Sequence, residues 1–182
     1  MHNLAEVCKS HQIQTRIIKC ALEVEFSLCE NEEKFLEEFH TLYLTYEKSQ
    51  RWFEALQNKD KGENTVVLEV LMELYKKISS LEKKILKEEE QKLLNLDFKS
   101  MILALGHEVV WIESAVFEEN KNYYLRFILP TFSDRIIPIF ARALSKNALI
   151  ITKMHPRDIQ DFDGYIVARE MEQIRWQKQV RG

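Results

Sequence analysis

The run YYLRFILPTFSDRIIPIFARALSKNALIITKM, residues 123–154, is dense in β-branched and aromatic residues. Such residues favour a pleated, half-buried surface. Turn material at Pro130 to Asp134 and at Ser145-Lys146 cuts the run into pieces. Strands are therefore predicted at Tyr123 to Leu129, Arg135 to Leu144 and Asn147 to Met154. Upstream, Met101 to Leu105 and Glu108 to Glu113 flank Gly106-His107, and Glu118 to Asn122 is a further turn. Connections this short join antiparallel neighbours, so a small barrel or curled sheet is expected. Pro138 lies inside a strand and predicts an edge or a bulge there, because proline has no N–H for a ladder.

Downstream, His155-Pro156 opens a helix, with Asp158 near its start. Ile159, Phe162, Ile166, Val167, Met171 and Ile174 form the face expected to lie on the barrel. Gly164 costs such a helix about 1 kcal/mol relative to alanine, so it is expected to mark close approach to a strand, or a break.

Upstream of residue 93 the punctuation changes. Only Gly62 interrupts the first 92 residues, and all three prolines fall after residue 100. A boundary is placed near 94, giving a helical region over 1–94 and a β-rich domain with a final helix over 95–182. The fold class is α+β. Phe35, Phe39, Leu42, Tyr46, Phe53 and Leu56 mark an apolar stripe on one helix. A second helix follows a polar loop around Gly62 and carries Val67, Leu71, Leu74, Ile78, Leu81 and Ile85 at heptad positions d and a. The stripe packs either within one chain as a helical hairpin or between chains as a coiled coil. The first thirty residues read both ways. Ile18, Cys20, Leu22, Val24, Phe26 and Leu28 alternate with period two, a strand signal, while Leu4, Val7 and Cys8 suit a helix.

Composition excludes several classes. Formal net charge is −3, which argues against a nucleic-acid binder, and residues 93–182 carry only +1. No apolar run approaches the roughly 20 residues of a membrane span. Met1 to Ser10 lacks the regions of a signal peptide, and three cysteines, Cys8, Cys20 and Cys29, form no disulfide framework. A cytoplasmic protein is expected. His2, Cys8 and His11 could be metal ligands only with a fourth that is not nearby, so no metal site is assigned. There is no nucleophile elbow and no glycine-rich phosphate loop. The expectation is a protein that is not an enzyme and has no cofactor.

The order of LALGHEVVWIES (103–114), YYLRFILP (123–130), IIPIFARALSKNALIITKM (136–154) and DIQDFDGYIVAREMEQIRWQK (158–178) resembles the PilZ domain. That is a six-stranded barrel which in bacteria binds cyclic di-GMP. The likeness is greatest to the PilZ subgroup with N-terminal heptad helices that self-associate. It implies a barrel of PilZ type and a homo-oligomer held by the heptad stripe. Family members that bind the dinucleotide carry an arginine pair four apart before the barrel and an Asp-x-Ser-x-x-Gly turn. Here no arginine lies between Arg51 and Arg126, and Ala104, Gly106 and Val109 fall on the turn positions. The resemblance therefore implies a degenerate nucleotide site and an interaction module of motility or envelope machinery with an unidentified protein partner. The alternatives are an effector that still binds cyclic di-GMP through atypical residues, and an unrelated oligomeric structural adaptor. Alternation along Tyr123 to Leu129 places Tyr124 and Arg126 on the outer face. With Arg175 and Trp176 they form the expected partner surface, because such residue types dominate interface energetics.

Overall fold

The computed structural model describes residues 2–43, 74, 77, 93–114, 116–130 and 135–180. Six antiparallel strands close into a barrel: β1 (Ile18–Leu28), β2 (Phe98–Leu105), β3 (Val109–Ile112), β4 (Asn122–Ile128), β5 (Ile136–Ala143) and β6 (Ala148–Lys153). Around the barrel the order is β1-β2-β3-β6-β5-β4. A helix at His2–Ser10 precedes the barrel and a longer one at Pro156–Val180 follows it.

The strand that closes the barrel comes from the N-terminal half. β1 pairs with β2 on one side and with β4 on the other. Its period-two alternation places Leu22, Val24 and Phe26 in the core and leaves Lys19, Ala21 and Glu23 exposed. The break expected at residue 94 had put this segment in a helical region. Alternation decides its structure because one barrel face must be apolar, and the absence of glycine and proline upstream only permits helix. By its contacts the chain forms one unit from residues 1–35 with 96–182, and a second from residues 36–95.

Inward side chains of all six strands fill the barrel, among them Ile18, Phe26, Ile102, Ile112, Leu125, Phe127, Ile139 and Leu149. Tyr123, Leu125, Phe127 and Leu129 all lie in this core, as their alternation predicts. Pro138 pairs with Arg126 of β4 on one side. On the other side β6 ends opposite Phe140, and the register shifts between Phe140 and Ala141. The proline therefore sits past the end of that ladder, where a missing N–H leaves no gap.

The C-terminal helix lays Phe162, Tyr165 and Ile166 into the barrel core. This contact face is narrower than the sequence pattern indicated. Ile159, Val167, Met171 and Ile174 are each at least 44% exposed. The helix runs through Gly164 unbroken, and a Cβ built there meets nothing within 4 Å. Neither a close strand nor a break accounts for that glycine. The helix start is pinned by charge: Arg135, just ahead of β5, pairs with Asp158 in the first turn and with Asp161 one turn on. A carboxylate in the first turn also meets the positive end of the helix dipole.

A second, smaller cluster forms where Leu4 and Cys8 of the N-terminal helix pack on Ala104, Val109 and Ala148. In the unit of residues 36–95, the helix seen over 33–43 continues through Phe39, and the Leu94 N–H donates to the Glu38 carboxylate at 2.5 Å. Leu74 is helical and half exposed. The other members of the heptad stripe, Val67, Leu71, Ile78, Leu81 and Ile85, lie outside the described residues.

Candidate functional site

The β2–β3 turn holds the three positions singled out from the sequence. Ala104 and Val109 are buried under the N-terminal helix, in the cluster with Leu4 and Cys8. Gly106 closes the turn: its N–H donates to the Val109 carbonyl at 2.8 Å. A Cβ at Gly106 would fall 2.7 Å from Thr15 Oγ1 and 2.9 Å from Val109 Cγ2. A side chain there would force Thr15 or Val109 to shift. Thr15 Oγ1 also accepts the His107 backbone N–H at 2.9 Å. The turn is thus occupied by the chain's own residue 15, brought there by the extended segment between the N-terminal helix and β1. No sequence pattern linked Thr15 to the turn, because residues 15 and 106 meet only through β1–β2 pairing.

Side chains from the turn and from the segment before β1 reach the C-terminal helix. His107 Nδ1 lies 2.6 Å from Asp163 Oδ1, and Arg16 Nη1 lies 2.8 Å from Glu170 Oε2. Gln173 Nε2 donates to the Lys19 carbonyl at 3.0 Å. Three polar links therefore fasten the helix beside its apolar contact. Beneath the N-terminal helix a shallow cleft of about 390 Å³ is lined by Cys8, Lys9, Gln12, Gln14 and Thr15, among others. Its polar side chains are neutral amides, a hydroxyl, the Cys8 thiol and one ammonium. It brings together no acid–base pair.

The cysteines are not set up as nucleophiles. Burial raises the thiol of Cys8 above its ordinary value, and does the same at Cys29 with help from Glu32. Burial pushes Cys20 up to about 11, against the opposing pull of Arg169. A reactive thiol needs the reverse shift. Among the described residues no group of three or more His, Cys, Asp or Glu side chains is placed to hold a metal ion.

The expected partner surface divides. Tyr124 is fully buried, stacked on Phe35 at 4.9 Å and tilted against Phe140 at 5.2 Å. Arg126 is 8% exposed and donates through Nε and Nη2 to Glu25 Oε2 at 2.8 and 2.5 Å. These two residues are interior, not surface. Tyr124 is covered by the rings of Phe35 and Phe140, and for Arg126 the reason lies in register: Glu25 of β1 is its direct cross-strand neighbour. Opposite charges so placed hold each other down on the sheet. Lys99 also binds Glu25, and these cations hold the Glu25 carboxyl below the ordinary range, Lys99 foremost. Arg175 and Trp176 do lie in solvent, the tryptophan 67% exposed.

No protein-family model matches the chain, and neither a curated protein nor a solved structure does. Among the described residues no helix is long and apolar enough to cross a membrane.

Proposed function

We propose that this chain is a non-enzymatic adaptor or regulatory protein, built on a PilZ-like barrel that does not bind cyclic di-GMP. It acts through protein–protein contacts in bacterial motility or envelope machinery, from the cytoplasm and as a homo-oligomer joined through Val67 to Ile85. One observation carries the reading: the β2–β3 turn, where the resemblance puts the ligand, is packed against Thr15 and the N-terminal helix. The turn offers Ala104 in place of a carboxylate, Gly106 in place of a hydroxyl, and a buried Val109 in place of glycine. The barrel begins at Ile18, so an arginine pair ahead of it would lie within residues 11–17. That segment holds Arg16 alone, with Gln12 four residues before it. A single guanidinium cannot both grip a phosphate and stack on a second face of the ligand.

Calorimetry with cyclic di-GMP tests the reading. No heat of binding is expected at micromolar concentrations. A dissociation constant below about 10 μM, near −7 kcal/mol, would overturn it. The second reading, an effector with atypical residues, is favoured by Arg16 itself, whose side chain is 74% exposed although it touches Glu170. In that case Arg16→Ala would abolish the heat.

A further inference from the structure

The C-terminal helix has two faces. Phe162, Tyr165 and Ile166 go to the barrel. Val167, Met171 and Ile174 go to water, at 44%, 55% and 44% exposure. At 100° per residue the centre of this second stripe lies about 150° from the first, on the far side of the helix. Spacing of four and then three makes the stripe a d, a, d run of a heptad. Nothing among the described residues of the barrel unit covers it.

Two further observations select what does. The first is charge. With Val167 at d, Glu170 falls at g and Arg175 at e. In a parallel pair of helices a g residue meets the e residue five places on in the other copy. Glu170 of one copy would therefore face Arg175 of the other, twice over by symmetry. Arg175 is exposed and has no carboxylate partner among the described residues. Glu170 uses one carboxylate oxygen on Arg16 and keeps the other. In an antiparallel pair the same letters would oppose g to g and e to e, setting like charges together. The second observation is Gly164. It lies on the outward side of the helix, exposed, with open space where its Cβ would be. Ala168, also exposed, follows it by four. Small residues one turn apart beside an apolar seam let a second helix come close.

We infer that the C-terminal helix is a self-association surface on which a second copy of this chain docks in parallel, with Val167, Met171 and Ile174 in the seam and Glu170 paired to Arg175 across it. This seam is separate from the Val67 to Ile85 stripe and does not depend on the nucleotide reading. Each barrel lies outside the pair, on the face turned away from the seam. The patch is smaller than a standard interface, so association falls between about 10 μM and 1 mM.

Sedimentation equilibrium of the full chain across that range tests it. Met171→Glu/Ile174→Glu is expected to remove one twofold step in mass while the melting temperature stays put, because both side chains are already in water. Arg175→Glu places like charges opposite each other and should weaken the step about tenfold, or 1.4 kcal/mol. A mass curve for Met171→Glu/Ile174→Glu that superimposes on the native one overturns the inference. Leu74→Asp/Leu81→Asp reports on the other seam: a change there, with none for Met171→Glu/Ile174→Glu, rejects the C-terminal seam and keeps the first. Should the double variant unfold, Ile174→Cys decides. Mild oxidation is expected to link residue 174 to its counterpart in a second copy. Absence of that link, or a link from 174 to a native cysteine only, overturns the parallel pairing.

Discussion

Removing the guanidinium of Arg135 should be among the more damaging single changes in the barrel unit. Its side chain is 5% exposed, and that of its partner Asp158 is 2% exposed. Asp161, the second partner, is 23% exposed and can turn to water. In Arg135→Met the volume is roughly kept, while Asp158 is left as a buried carboxylate without its cation. Breaking one side of a buried pair costs about 3–5 kcal/mol. For a domain of this size each kcal/mol lowers the melting temperature by about 4 °C, so a fall of roughly 12–20 °C is expected. The double variant Arg135→Met/Asp158→Leu removes the stranded charge as well and should recover most of that loss, since well-packed apolar replacements of buried pairs are often neutral. Urea unfolding followed by circular dichroism gives all the free energies of the cycle. A cost below about 1 kcal/mol for Arg135→Met would refute the reasoning, because it would mean that the pair is solvated like a surface bridge. Equal losses for the single and double variants would show that packing around the helix start, and not charge, was removed.

Gly106→Ala should destabilise by about 1–3 kcal/mol, as overpacking does, and Thr15→Ser, which removes the Cγ2 within 2.8 Å of the added carbon, should return part of it in the same urea assay. Cys20, held up to about 11, should resist a thiol reagent at pH 8, where about one molecule in a thousand carries the thiolate; fast labelling before unfolding would contradict its burial. Glu25 has a folded value below its ordinary 4.5. Its contribution is therefore complete above that ordinary value and is lost as pH falls through the lower folded value. Melting temperatures of native protein and Glu25→Gln should accordingly differ near neutral pH and converge in acid; a constant gap would refute the pairing with Lys99 and Arg126.

The strands after residue 95 were legible because each writes its own period and its own turns: β2 to β6 fall on the predicted runs, and the last helix starts at Pro156 as its sequence indicates. β1 carried a strand's alternation, yet the first thirty residues read both ways and the segment fell inside the region expected to be helical. Its partners lie far along the chain, and local pattern carries no information about pairing across such a distance. The same gap hid Thr15 from the β2–β3 turn and Glu25 from Arg126. Alternation correctly placed Arg126 opposite the core, yet alternation cannot tell water from a salt bridge. On the last helix, apolar spacing of three and four covers nearly half the circumference, and spacing alone cannot say which part meets the barrel.

β1 is also the stave that closes the barrel, and its route there has a kinetic meaning. The pairs β2–β3, β4–β5 and β5–β6 are joined by short connections. β1 pairs with β2, from which residues 29–97 separate it along the chain. For a flexible chain, a separation of about 70 residues costs about 2.5 kcal/mol more to close than a four-residue turn. That difference favours the local hairpins over the pairings of β1, and without β1 the facing edges of β2 and β4 stand open. An open pair of edges is a template for any free strand, including β1 of another molecule. Exchange of β1 between two chains would build the same barrel twice over with the pairings of β1 to β2 and β4 conserved.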